Sequence, residues 1–62
     1  MWTERQIMSE FMTIAVSHHD KEVRKFAEGQ VYIMLRARFR KNEALVVRKI
    51  LLRERKNALR CK

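Results

Sequence analysis

Proline is absent from this 62-residue chain, and glycine and cysteine each occur once. The sharp reversals of a β-rich fold usually recruit Gly, Pro, Asn or Asp, so such a fold is poorly served here. With Cys61 the only cysteine, no intrachain disulfide can form, and a lone thiol suits a reducing interior compartment. Long apolar runs are missing too. The longest, Val31 to Leu35, falls far short of the roughly 20 residues that cross a bilayer. The opening Met1-Trp2-Thr3-Glu4-Arg5-Gln6 carries an acid and lacks the apolar stretch of a secretory signal. These absences predict a cytoplasmic protein with no transmembrane segment. Length adds its own exclusion, because doubly wound nucleotide-binding folds and multi-domain enzymes do not fit.

A domain this small buries only about 60% of the surface its unfolded chain exposes, so it needs help to be stable. A structural metal wants about four ligands, and the best candidates are only His18, His19 and Cys61. No metal or cofactor is therefore predicted. Self-association or docking on a partner is the remaining aid.

What is present reads as helix. Thr3 followed by Gln6 fits a capping box, with Trp2 and Ile7 placed for a hydrophobic staple. Ile7, Met8, Phe11, Ile14, Ala15 and His18 share one arc of a helical wheel, predicting helix 1 over about 3–17. Asp20 is a good N-cap for helix 2, which the pattern carries to about residue 40 through Arg36, Arg38 and Arg40. Asn42 is placed to cap helix 3, over about 42–59. The expected fold is all-α, a single domain of three helices spanning residues 1–62.

Helix 2 is apolar over more than one stripe. Val23, Phe26, Ala27, Ile33, Met34 and Ala37 cover one face, while Val31, Tyr32, Leu35 and Phe39 extend onto a second. A helix covered once needs only one such face. Helix 2 is thus expected to be central, and the surplus, with Leu45 and Leu52 of helix 3, is expected to form a homodimer seam or a partner surface. Met1, Met8, Met12 and Met34 suit gap-filling in a small core.

Charge is the other strong signal. The formal net charge is +8. Residues 1–20 hold one Lys/Arg and three Asp/Glu (net −2), whereas 21–41 and 42–62 each hold seven and two (net +5 each). Lys49, Arg53, Lys56 and Arg60 recur at steps of four, three and four residues, which places them on one strip of helix 3. Cations in such a row contact phosphates and release condensed counterions. Arg36 and Arg40 are candidates to widen the patch. A solvated helix face with favourable C-terminal charge is the competing explanation.

Neither a zinc-finger ligand set, a helix-turn-helix glycine nor an RNA-binding sheet motif is visible, so phosphate contact is favoured over base readout. Tyr32 and Phe39 have the spacing to stack on bases, though aromatic residues in such positions more often pack. His18-His19-Asp20 reads as a helix junction, and Cys61 as a terminal thiol beside Arg60 and Lys62. No paired carboxylates, phosphate-binding glycine loop or nucleophile–base pair suggests catalysis. Phe39-Arg40-Lys41-Asn42 resembles the Phe-Arg-x-Asn element of mitochondrial LYR-motif adaptors, which are also small, basic three-helix proteins. That family's Leu-Tyr-Arg signature has no counterpart near Ile14-Ala15-Val16, so no acyl-carrier or iron–sulfur role is transferred. The expected function is noncatalytic binding of nucleic acid, DNA or RNA, or docking onto an acidic protein.

Overall fold

Thr3 opens the first helix by the reciprocal capping its spacing with Gln6 implies. The Thr3 N–H donates to Gln6 Oε1 at 2.7 Å, and the Gln6 N–H donates to Thr3 Oγ1 at 3.2 Å. Helix α1 then runs Glu4–Ser17 in the computed structural model, which describes residues 1–60. Trp2 remains 61% exposed, so the hydrophobic staple expected of Trp2 and Ile7 buries little. At the junction, the Asp20 N–H donates to His18 Nδ1 at 3.0 Å, and Asp20 Oδ1 accepts from the Glu22 N–H at 2.9 Å. His18 and His19 stack with ring centroids 4.6 Å apart. The pair therefore closes one helix and starts the next. Helix α2 is Lys21–Arg36.

Two boundaries differ from the sequence reading. Helix α2 stops at Arg36 rather than near residue 40, because the chain tightens into a turn there. The Arg38 and Phe39 N–H groups both return to the Leu35 carbonyl, at 3.0 and 2.9 Å. The Arg36 guanidinium donates to the Phe39 carbonyl at 3.1 Å and holds the turn shut. Helix α3, Lys41–Arg60, begins just before Asn42. Its start is secured by Glu43, whose carboxylate accepts from the Arg40 N–H at 3.3 Å, one half of a capping box with Arg40 in the cap position. About 83% of the described residues are helical, with no strand among them.

The three helices pack pairwise, each on both of the others. Helix α2 supplies Ala27, Val31 and Leu35 to the buried set, α1 supplies Ala15, and α3 supplies Ala44. Three of these five are alanines, so the helices approach closely where they meet. Around Val31, Leu35 and Ala44 pack Met8, Phe11, Met12, Tyr32, Val47 and Leu51, all half-buried.

This arrangement corrects the expected seam. Val31 and Leu35 are 0% and 4% exposed within the single chain, so they belong to its own core and have no surface left for a partner. Tyr32 and Leu52 are half-buried, whereas Phe39 and Leu45 stay exposed. The apolar surplus of α2 is real but lies on the other stripe, at Phe26 (62% exposed) and Ile33 (60% exposed).

Candidate functional site: a cationic groove between the helices

Arginines in this fold do two different jobs, and their hydrogen bonds separate them. Arg48 reaches across from α3 to α2, where its guanidinium lies 5.7 Å from the Tyr32 ring centroid and donates to the Glu28 carbonyl at 3.5 Å. Arg55 reaches the other way, donating to Ser9 Oγ at 3.1 Å and Thr13 Oγ1 at 3.2 Å on α1. Both are half-buried. In the sequence they only interrupt a line of leucines. Their seven-residue spacing on an otherwise apolar arc is the signal that could have marked them as clamps between helices. Arg24 is a third structural arginine, donating to the His18 and His19 carbonyls at 2.6 and 3.3 Å beyond the end of α1.

Lys49, Arg53, Lys56 and Arg60 behave differently. All four are exposed, and no ion pair or hydrogen bond engages their side chains among the described residues. The ion pair found among those residues joins Arg38 to Glu4 at 3.8 Å across open surface.

Lys49, Arg53 and Lys56 line one groove of about 530 Å³, formed where α1, α2 and α3 meet. Ala15, Val16 and Leu52 give it apolar lining, and Arg24 and Glu28 contribute from α2. Four cations and one carboxylate leave the groove a formal charge of +3. The helix positions explain the grouping. Lys49, Arg53 and Lys56 sit within about 60° of one another on α3, and Leu52 occupies the adjoining step toward the core. Such a groove holds an anion by charge and offers an aliphatic surface beside it.

The remaining predicted cations are not gathered there. Arg60 continues the same strip one turn past Lys56. Arg40 precedes α3, about 13 Å along the axis from Lys49 at 1.5 Å per residue. Arg36 lies outside the groove, and one of its guanidinium N–H groups holds the α2–α3 turn. Arg24 is the groove residue that sequence reasoning missed, because only the packing of α2 against α3 brings it near Lys49 and Arg53.

Among the described residues no group of three or more His, Cys, Asp or Glu side chains is placed to hold a metal ion, and Cys61 lies outside those residues. No helix among them is long and apolar enough to cross a membrane. No protein family, curated protein or solved structure shows significant similarity to the chain.

Proposed function

We propose that this chain is a noncatalytic accessory protein of the cytoplasm that binds nucleic acid through its phosphates. One observation carries the reading: Lys49, Arg53 and Lys56 share a groove wall, and no ion pair or hydrogen bond engages them among the described residues. Cations that stabilise a fold have partners, as Arg48 and Arg55 do. Arg5, Lys21, Lys25 and Lys41 are exposed cations too, and what sets Lys49, Arg53 and Lys56 apart from them is the shared groove wall that turns all three toward one ligand. From Lys49 to Arg60 the strip is about 16 Å long and presents four cations in a row to a phosphate backbone. The groove lining contains no aromatic side chain, which favours backbone contact over base stacking.

Salt dependence tests the mechanism. Four phosphate contacts predict a slope of log K against log salt of about −3.6 on duplex DNA and about −2.8 on a single strand. Affinity for a duplex should then fall about 150-fold between 50 and 200 mM salt. Fluorescence anisotropy on labelled duplex DNA, single-stranded DNA and RNA measures it. The double variant Lys49→Gln, Arg53→Gln should halve the slope, and an unchanged slope refutes the assignment.

A second reading rests on a separate feature. Val46 and Ile50, 58% and 51% exposed, flank Lys49 and Arg53 on α3, and phosphates make no use of apolar side chains. An acidic protein helix would use both kinds of residue, with the cations steering its approach. Capture from nuclease-treated extract separates the two: stoichiometric retention of one protein supports the adaptor, and loss of all partners supports nucleic acid.

A further inference from the structure

Helix α2 carries a second pattern, on the side away from its core. Glu22, Phe26, Gly29, Ile33 and Arg36 follow at steps of four, three, four and three residues. At about 100° per residue they fall within an arc of about 80°. That alternation is the one by which paired helices meet. The arc is centred about half a turn from Ala27, Val31 and Leu35, so it faces away from the core. Phe26 and Ile33 are among the most exposed apolar side chains of the described residues, and Phe26 meets Phe11 edge-on, at 6.4 Å between centroids.

Gly29 sits at the centre of this strip. Glycine inside a helix costs up to about 1 kcal/mol relative to alanine. Nothing among the described residues requires it, since a Cβ built there meets no atom of theirs within 4 Å. The two ends of the strip carry opposite charges, Glu22 at the start and Arg36 at the finish.

We propose that this face is the seam of a homodimer in which α2 packs antiparallel on the α2 of a second copy, across a twofold axis beside Gly29. Glu22 and Arg36 are equally far from Gly29, so the axis places Glu22 against the partner's Arg36 and Arg36 against the partner's Glu22. Phe26 comes beside the partner's Ile33, and the two glycines face each other where the backbones draw closest. A parallel pairing would set Glu22 on the partner's Glu22 and Arg36 on the partner's Arg36, which like-charge repulsion opposes. A uniformly acidic partner helix is disfavoured as well, because it would meet Glu22 at one end. The groove-lining cations of α3 lie off this strip, so dimerisation leaves them accessible. One helix crossing is a small interface, at the low end of specific protein contacts.

Sedimentation equilibrium of the full chain, from low to high micromolar concentration, tests the proposal, with circular dichroism as the check on folding. The wild-type chain should dimerise. Ile33→Glu and Gly29→Leu should each weaken the dimer at least tenfold while helix content holds, and Ile33→Ser replaces the former if it fails to fold. Arg36→Glu also gives up the bond to the Phe39 carbonyl, so the charge variants are compared at matched helix content: Glu22→Lys and Arg36→Glu should each weaken the dimer severalfold, and their combination should restore it. A wild-type monomer throughout overturns the proposal. A dimer indifferent to Ile33→Glu and Gly29→Leu places the seam elsewhere and also overturns it. Failure of the charge swap to restore association refutes the antiparallel pairing.

Discussion

Replacing Leu35 with alanine should come close to unfolding this protein. Leu35 is 4% exposed and sits with Val31 and Ala44 at the centre of the core. Buried Leu→Ala changes cost about 2–5 kcal/mol, part lost transfer energy and part cavity. The surrounding Met8 and Met12 are flexible enough to relax into the space, which argues for about 3 kcal/mol. A chain of this length has roughly 3–9 kcal/mol of stability in all. With a urea m-value of about 1 kcal/mol/M, at the low end for small proteins, the midpoint should fall by about 3 M. The melting temperature should fall by roughly 12–24 °C. Urea titrations followed by circular dichroism, at two protein concentrations, measure the loss. It should be the same at both concentrations, because Leu35 packs within its own chain. Ile33→Ala, on the exposed stripe, should cost far less in dilute solution. If Ile33→Ala proves the more damaging in dilute solution, the stripe assigned to the core is the wrong one.

Arg55→Ala should cost about 1–2 kcal/mol by releasing two side-chain hydrogen bonds between α3 and α1, and Arg55→Lys should recover only part of it. Chemical denaturation reads both, with Arg53→Ala as the exposed control. Thr3→Ala removes half of the capping box and should cost about 0.5–1.5 kcal/mol, seen as faster amide exchange in the first turn of α1. Gly29→Ala should raise the stability of the dilute protein by up to about 1 kcal/mol, because open space surrounds that position, while it weakens self-association.

The helix count and the starts of α1 and α2 were legible because their caps are local. Thr3 with Gln6 and Asp20 before Glu22 need only neighbours in the chain. The end of α2 was not, since Arg36, Arg38 and Arg40 suit a helix C-terminus equally well at any of several positions. The return of two N–H groups to the Leu35 carbonyl decided it. Choosing the wrong stripe of α2 for a partner surface had a similar origin. Both stripes are apolar, and only the close approach of α1 and α3 at Ala15, Ala27 and Ala44 selects Val31 and Leu35 for the core. The basic strip on α3 followed from spacing alone, and its separation from the clamping arginines did not. Arg48 and Arg55 differ from Lys49 and Arg53 by which helix they reach, which is tertiary information.

That separation of two sets of cations is the claim on which the functional reading stands, and two charge-matched double variants test it. Lys49→Gln with Arg53→Gln and Arg48→Gln with Arg55→Gln each remove two positive charges. Anisotropy titrations on one labelled oligonucleotide, paired with urea midpoints, give binding and stability for both. The Lys49/Arg53 variant should keep its midpoint and lose about half of its salt slope. The Arg48/Arg55 variant should lose about 2 kcal/mol or more of stability and, where still folded, keep most of that slope. Equal losses of binding from both variants would contradict the account, because net charge alone would then explain the affinity.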